Sequence, residues 1–251
     1  MTVPPGPDPH GTVRRAMLPL SDAAVDAVSG AVHEPPHASG PGVLLLPGAG
    51  GDLDARALVA LAETLAAAGA TVVRANLPHR ELGRRFPPRA EAAVDDAWRV
   101  AEAARALVGI DDWILGGRSY GGRVLSLAHA DGLEALGLLF HAYPLHAPGR
   151  VDALRVEHWD RIRRPCLFLQ GTHDEFARLD LLRAALPRID GAVTLEVVEG
   201  ADHALKVTRR HAPDGEARAD TRVVADLAPA VTRWLGESAR RPGRAGPEVV
   251  S

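Results

Sequence analysis

The sequence of 251 residues contains a single cysteine, Cys166. One thiol cannot form a disulfide within the chain and cannot assemble a cysteine-based metal site. Its apolar setting, RPCLFLQG, predicts a buried and unreactive thiol. Cysteine chemistry is therefore not expected to carry the function.

Long hydrophobic runs and an excess of positive charge are also missing. No apolar run approaches the roughly 18 to 20 residues that a membrane span needs, and the N-terminus MTVPPGPDPHG lacks the pattern of a signal peptide. The formal net charge of -3 gives no electrostatic reason to expect a nucleic acid partner. The sequence predicts a cytoplasmic protein that binds neither membrane nor nucleic acid.

Short apolar runs alternate with longer amphipathic stretches along most of the chain. The runs of strand length lie at 42–48, 71–78, 113–117, 136–144, 166–171 and 193–200. The amphipathic stretches predict helices at 54–70, 89–109, 119–132, 174–188 and 217–237, with Pro229 kinking or breaking the last. Residues 23–35 indicate one or two edge strands. This alternation predicts an α/β fold with a doubly wound, mostly parallel sheet and helices on both faces.

The two chain ends differ from the region between them. Residues 1–12 are rich in proline and glycine, and residues 238–251 are polar and interrupted by the same two residue types. Both ends predict disordered tails. Since no internal repeat or strong linker divides the rest, residues 13–237 are expected to form one domain.

A glycine-flanked serine follows one of the buried strands. The stretch LGGRSYGGRV places Ser119 between Gly117 and Gly121, where an apolar strand ends and a helix begins. A tight turn of this kind lifts the serine above the sheet and brings neighbouring backbones together, so glycine is needed on both sides. The pattern predicts a nucleophilic serine; a glycine-rich turn with a helix-capping serine is the alternative.

The two later strands supply the partners that a nucleophilic serine needs. Asp174 follows the strand that ends in LFLQG, and His203 follows the strand that ends in VVEG. The carboxyl ends of parallel strands share one edge of a sheet, so Ser119, Asp174 and His203 are expected to converge as a catalytic triad. Asp202 is interpreted as part of the loop, and Glu175 is kept as an alternative acid.

Acyl chemistry also requires two N–H donors that stabilise an oxyanion. The backbone N–H of Tyr120, directly after the serine, is the first candidate. The second is expected from LLLPGAGGD, where Ala49 follows the end of a buried strand. A flexible turn is the alternative for this stretch, whereas a phosphate-binding loop would need the G-K-[ST] ending that it lacks.

Together these stretches resemble the α/β-hydrolase superfamily. PGAGG takes the place of the oxyanion loop, GRSYGG of the nucleophile elbow, GTHDEF of the acid loop and GADHAL of the histidine loop. GGRSYGGRV with YPLHAPG further resembles the small dienelactone-hydrolase-like branch, whose eukaryotic relatives include a testis-expressed protein and a chromatin-complex subunit. The resemblance implies the same triad and no cofactor. Pro47 stands where many members have histidine.

The sequence also offers candidates for the walls and the entrance of the substrate pocket. Only about twenty residues separate Pro144 from the next strand, so little or no lid is expected over the site. His141, Tyr143 and His146 lie near the carboxyl end of a predicted strand and are pocket candidates, with local packing as the alternative. Arg118 could meet an anionic substrate group or form a salt bridge beneath the turn. The basic loop HRELGRRFPPR, residues 79–89, could form part of the entrance.

These features predict a serine hydrolase that cleaves an ester or related acyl bond of a small molecule. A non-catalytic interaction protein with the same fold is one alternative. An acyltransferase or a peptidase that uses the same triad is another, and the sequence does not separate it from an esterase.

Overall fold

The computed structural model describes residues 11–239, and an eight-stranded sheet runs through its centre. The strands are β1 (Thr12–Pro19), β2 (Ala27–Glu34), β3 (Gly42–Leu46), β4 (Thr71–Ala75), β5 (Trp113–Arg118), β6 (Gly137–His141), β7 (Cys166–Gly171) and β8 (Val193–Val198). Their order is β1-β2-β4-β3-β5-β6-β7-β8. The β1–β2 and β2–β4 pairs are antiparallel, and all other neighbours are parallel. The predicted doubly wound, mostly parallel sheet is confirmed.

Seven α-helices connect these strands within the described residues. They are α1 (Arg56–Ala67), α2 (Pro78–Glu81), α3 (Val94–Val108), α4 (Tyr120–Ala130), α5 (Leu179–Ala185), α6 (Asp220–Asp226) and α7 (Ala228–Ser238). The predicted break at Pro229 is confirmed, since α6 ends at Asp226 and Pro229 lies in the first turn of α7. A proline there lacks only an N–H that the helix leaves unpaired anyway. None of the helices among residues 11–239 combines the length and the apolar character that a membrane crossing requires.

Strand β3 shows how the sheet is covered on both faces. All five of its residues are buried, as an apolar strand of a parallel sheet requires. Leu44 and Leu46 pack with α3 and α4, whereas Val43 and Leu45 pack with α1, α6 and α7. Alternate residues of one strand therefore contact helices on opposite faces of the sheet. Because β3 pairs in parallel with β4 and β5, the carboxyl ends of these strands lie at one edge.

Two element predictions need correction. Residues 23–35 contain one strand, β2, and it is not at the edge, because β1 pairs along its outer side. No strand was predicted at β1, where most side chains are exposed and only Leu18 is fully buried, so hydrophobic periodicity gives little signal. The helix predicted over 174–188 begins only at Leu179, because the residues before it form the loop that carries Asp174.

The segment between β6 and β7 is short, as predicted. Residues 142–165 contain one 3-10 turn, Trp159–Arg161, and no inserted helical lid. Of the two predicted tails, residues 1–10 and 240–251 lie outside the described residues. The carboxyl ends of β3, β5, β7 and β8 therefore carry the loops with the candidate catalytic residues and no separate cap domain among residues 142–165.

Candidate active site

Ser119 occupies a strained turn between β5 and α4. Its backbone has φ 49° and ψ -111°, a conformation that non-glycine residues rarely adopt. The glycines around it are required for clearance, as predicted. A Cβ on Gly117 would stand 2.5 Å from the Leu46 carbonyl oxygen, and one on Gly121 would stand 2.6 Å from the Pro47 oxygen. The close approach of the β3 loop therefore explains the glycines beside the serine.

Three side chains from separate loops form a continuous hydrogen-bonded chain. His203 Nε2 lies 2.8 Å from Ser119 Oγ, and His203 Nδ1 lies 2.8 Å from Asp174 Oδ2. The Asp174 side chain is fully buried, whereas His203 retains 16% exposure. A carboxylate at Nδ1 fixes the tautomer in which Nδ1 carries the proton and Nε2 is free to accept the serine proton. The structure thus brings together the three residues that the sequence selected.

Two residues that the sequence analysis did not select hold Asp174. Gln170 Nε2 donates to Asp174 Oδ2 at 2.5 Å, and the Phe176 backbone N–H donates to Oδ1 at 2.8 Å. The Phe176 ring also packs on the His203 ring with centroids 4.3 Å apart. A polar glutamine inside the otherwise apolar strand CLFLQG was the signal that could have identified Gln170. These contacts orient the carboxylate and the imidazole.

The predicted oxyanion donors lie on either side of the serine. Ala49 sits in a tight turn closed by the Gly51 N–H donating to the Gly48 carbonyl at 3.0 Å. Tyr120 is the first residue of α4, so its N–H has no carbonyl one turn earlier in the helix. Both residues line the cavity beside Ser119. Ala49 and Tyr120 therefore remain the candidates for the two oxyanion donors.

The neighbouring acids have other surroundings. Asp202 Oδ1 accepts the backbone N–H groups of Ala204 and Lys206 at 2.9 Å and 3.0 Å, which confirms that it organises its own loop. Glu175 is exposed to solvent beside the buried Asp174. The geometry therefore favours Asp174 over both alternatives as the partner of His203.

Arg118 is half-buried beside the elbow and does not line the cavity. Its Nη2 donates to the His203 carbonyl at 3.4 Å, and its Nη1 lies against Gly48. Burial lowers the pKa of Arg118, opposed by the charges of Asp220, Asp174 and Asp202. Among the described residues no carboxylate lies within salt-bridge distance of Arg118, so the salt bridge that was one of the two interpretations is not formed. Arg118 instead connects the oxyanion loop to the histidine loop.

The other three predicted pocket residues also lie in the interior. Tyr143 is buried, and its hydroxyl donates to the Arg155 carbonyl at 2.9 Å. His146 is buried, with Nδ1 donating to the Ala147 carbonyl and Nε2 accepting the Arg178 N–H at 3.0 Å. His141 is buried under the site, where burial and then Arg118 lower its pKa to about 3. The pocket interpretation of these three is corrected to packing, because all three are buried and none of them lines the cavity beside Ser119.

A cavity of about 580 Å³ lies beside Ser119. Besides Ala49, Ser119 and Tyr120, its wall contains Phe86, Pro87, Pro88, Arg89, Ala90, Glu91, Arg123, Pro144, Arg155 and Phe176. The end of the basic loop 79–89 thus forms part of the wall, in agreement with the entrance that the sequence suggested. Arg123 and Arg155 were missed, because nothing in the local pattern distinguishes them from solvated arginines. No set of three or more potential metal ligands is clustered in the part of the chain described.

A second serine and histidine are in contact deeper in the molecule. Ser126 Oγ lies 2.8 Å from His158 Nε2 and donates its proton to the Arg123 carbonyl at 2.7 Å. Ser126 is fully buried inside α4. Ser126 is not a candidate nucleophile, because its proton is already donated and a substrate has no access to it. The Ser126–His158 pair instead holds the 3-10 turn at Trp159–Arg161 against α4.

The fold and the strained elbow are those of an α/β hydrolase. The chain belongs to the alpha/beta hydrolase domain family, which matches residues 40–231. The superfamily resemblance drawn from the four loop motifs is thereby confirmed.

Solved structures share this fold at low sequence identity. An α/β serine hydrolase without a lid from Xanthomonas campestris is 24% identical, with 91% of this chain and 97% of that chain covered and a TM-score of 0.65. Dienelactone hydrolase from Anabaena variabilis is 16% identical, with 92% and 100% covered and a TM-score of 0.70. An α/β serine hydrolase homologue from Coxiella burnetii is 18% identical, with 85% and 94% covered and a TM-score of 0.66. These matches agree with the predicted fold class and its minimal lid.

Proposed function

We propose that the protein is a serine hydrolase that cleaves an ester or related acyl bond of a small molecule through an acyl-enzyme. The observation that carries the proposal is the continuous Ser119–His203–Asp174 hydrogen-bonded chain, with the serine at the wall of a cavity. A serine hydroxyl is a weak nucleophile until a histidine removes its proton and a carboxylate orients that histidine.

In the first half of the reaction, Ser119 Oγ attacks the carbonyl carbon while His203 Nε2 takes the serine proton. The carbonyl oxygen becomes an oxyanion, which the Ala49 and Tyr120 N–H groups stabilise by about 3 kcal/mol per donor. The tetrahedral intermediate then collapses, its bond to the leaving oxygen breaks, and His203 gives the proton to the departing alcohol. Asp174 stays ionised throughout and stabilises the imidazolium.

In the second half, water attacks the acyl-enzyme. His203 takes a proton from the water, the bond between the acyl carbon and Ser119 Oγ breaks, and His203 returns the proton to the serine. The products are a carboxylic acid and the free enzyme. The cavity of about 580 Å³ and the short 142–165 segment support small substrates, since neither provides a long tunnel for an acyl chain.

The proposal is tested by intact mass after exposure to a fluorophosphonate probe. We expect one adduct on the wild type and none on Ser119→Ala or His203→Ala, because phosphonylation needs the activated oxygen. Ser126→Ala is the matched control, since Ser126 also contacts a histidine but is buried away from the cavity, and it should keep the adduct.

Two other outcomes of the probe experiment would contradict the proposal. If the folded wild type takes up no probe, the protein is not a serine hydrolase, and a non-catalytic role for the fold becomes the better explanation. An adduct followed by acyl transfer to added alcohols or amines, in preference to hydrolysis, would instead identify an acyltransferase.

A further inference from the structure

The wall of the cavity beside Ser119 carries more positive than negative charge. Arg89, Arg123 and Arg155 line it together with one carboxylate, Glu91. The chain as a whole has a net charge of -3, so this excess is local to the cavity. A cavity lined by one sign of charge attracts ligands of the opposite sign.

Arg123 is tied directly to the nucleophile elbow. It lies one helical turn after Ser119 on α4, and its backbone N–H donates to the Ser119 carbonyl at 3.0 Å. Its side chain is only 12% exposed and pairs with Glu91, whose side chain is 57% exposed. The Arg123 Nε is buried and has no hydrogen-bond partner in the described part of the chain. Arg123 is therefore a largely buried cation in the cavity wall that is paired with an exposed carboxylate.

Arg155 adds a second guanidinium next to the first. It is half-buried, and its Nη1 donates to the Pro144 carbonyl at 3.3 Å. Burial and then Arg123 lower the pKa of Arg155, which reflects two like charges close together, while Tyr143, Glu91 and Glu157 oppose the shift. Burial raises the pKa of Glu91, but its hydrogen bonds and the charges of Arg123 and Arg155 outweigh this effect and lower it. Glu91 pairs with Arg123, whereas Arg155 lines the same wall with no carboxylate within salt-bridge distance among the described residues.

We propose that the substrates are esters whose acyl part ends in a carboxylate, with Arg123 and Arg155 as the specificity-determining residues. This inference rests on the proposed hydrolase function. The guanidinium groups provide the planar donors that a carboxylate matches. One helical turn, about 5.4 Å along the axis of α4, separates the Arg123 backbone from the elbow, which suits a short chain between the reacting carbonyl and the charge. Phe86, Pro88 and Phe176 supply apolar wall for that chain.

The experiment compares mono-4-nitrophenyl glutarate with 4-nitrophenyl methyl glutarate, in which the carboxylate is a neutral methyl ester. The readout is the ratio of kcat/KM for the anionic ester to that for the neutral ester. We expect a ratio above about ten for the wild type and a fall of about tenfold or more in Arg123→Gln and Arg155→Gln, because each loses a charge-assisted contact. Arg123→Lys should retain part of the ratio, and Glu91→Gln should raise it.

Arg161→Gln is the matched control. Arg161 also forms an ion pair, with Asp131 at 3.0 Å, but it does not line the cavity, so the ratio should stay at the wild-type value. A wild-type ratio near one, or a ratio that Arg123→Gln and Arg155→Gln leave unchanged in folded protein, overturns the inference. Melting temperatures establish that each variant is folded.

A binding measurement separates this inference from the proposed function. Calorimetry on Ser119→Ala, which cannot form the acyl-enzyme, gives the affinity for both glutarate esters without turnover. Tighter binding of the anionic ester, with no labelling of the wild type by the fluorophosphonate probe, would show a carboxylate-binding cavity and overturn the hydrolase proposal alone. Equal affinity for the two esters, with probe labelling intact, refutes the carboxylate preference and leaves the hydrolase proposal standing.

Discussion

At the scale of the residue, surroundings separate two aspartates that lie close to the same histidine. Asp202 is adjacent to His203 in sequence, yet its carboxylate satisfies the backbone N–H groups of its own loop. Asp174 lies 29 positions away along the chain, and its buried carboxylate meets the imidazole. Proximity in sequence therefore does not identify the carboxylate that partners His203. A position after the carboxyl end of a neighbouring strand does.

Substituting each aspartate by asparagine tests this assignment. In Asp174→Asn we expect a loss of kcat of about 10⁴-fold, because an amide no longer fixes the Nδ1–H tautomer of His203. Asp202→Asn retains the oxygen that accepts the loop N–H groups, so its kcat should fall by less than about tenfold. Ester hydrolysis at pH 7.5 gives both values. Equal losses in the two variants would contradict the assignment of Asp174.

At the scale of the element, the elbow depends on the close approach of β5, α4 and the loop after β3. The strained backbone of Ser119 persists because the surrounding structure holds it in this conformation. Gly121 belongs to α4, yet its Cα faces the carbonyls of Leu46 and Pro47 so closely that no side chain fits. The first turn of this helix is therefore shaped by the loop beside it and not by helix propensity.

Alanine substitutions at two helical glycines test whether the loop after β3 shapes the first turn of α4. Gly121→Ala would place a methyl group against backbone atoms, and we expect a loss of about 1–3 kcal/mol in the free energy of unfolding. Gly236→Ala in α7 meets nothing within 4 Å and should instead stabilise the protein by up to about 1 kcal/mol. Urea denaturation measures both. Similar effects in the two variants would show that contact with the β3 loop does not limit Gly121.

At the scale of the whole molecule, the buried interior holds histidines that resist protonation. Burial is the first cause in each case and lowers the pKa of His33 and His158 to about 4 and that of His141 to about 3. Below about pH 6.5 the unfolded chain takes up protons that the folded chain does not. The free energy of unfolding should therefore fall as the pH drops from 6.5 towards these values.

His141 allows this pH dependence to be measured. It is fully buried, and neither ring nitrogen has a partner within residues 11–239. Replacing it by leucine removes one proton-uptake site of the unfolded chain, so the stability lost between pH 7.5 and pH 5.5 should shrink by about 1 kcal/mol. His37→Ala, at an exposed position, serves as the control and should keep the wild-type dependence. If His141→Leu also keeps it, His141 is protonated within the fold.

Most strands and helices could be predicted, because the pattern of apolar residues along the chain indicates which side chains are buried. The strands β3 to β7 are largely apolar, Pro229 marks a helix break, and the glycines around Ser119 indicate a crowded turn. Chain order then places three chemical residues after three strand ends. These features follow from the sequence because each depends on neighbours within a few positions, or on the rule that parallel strands end at one edge.

The tertiary structure alone decided the rest. Strand β1 has little hydrophobic pattern and exists through its pairing with β2. His141, Tyr143 and His146 lie at or just after the end of β6 but are buried, whereas Arg123 and Arg155, 32 positions apart in the chain, line the same cavity. Which polar side chains face a cavity depends on contacts between residues far apart in the chain. Sequence pattern therefore identified the catalytic candidates, and only the folded chain determined the wall that meets the substrate.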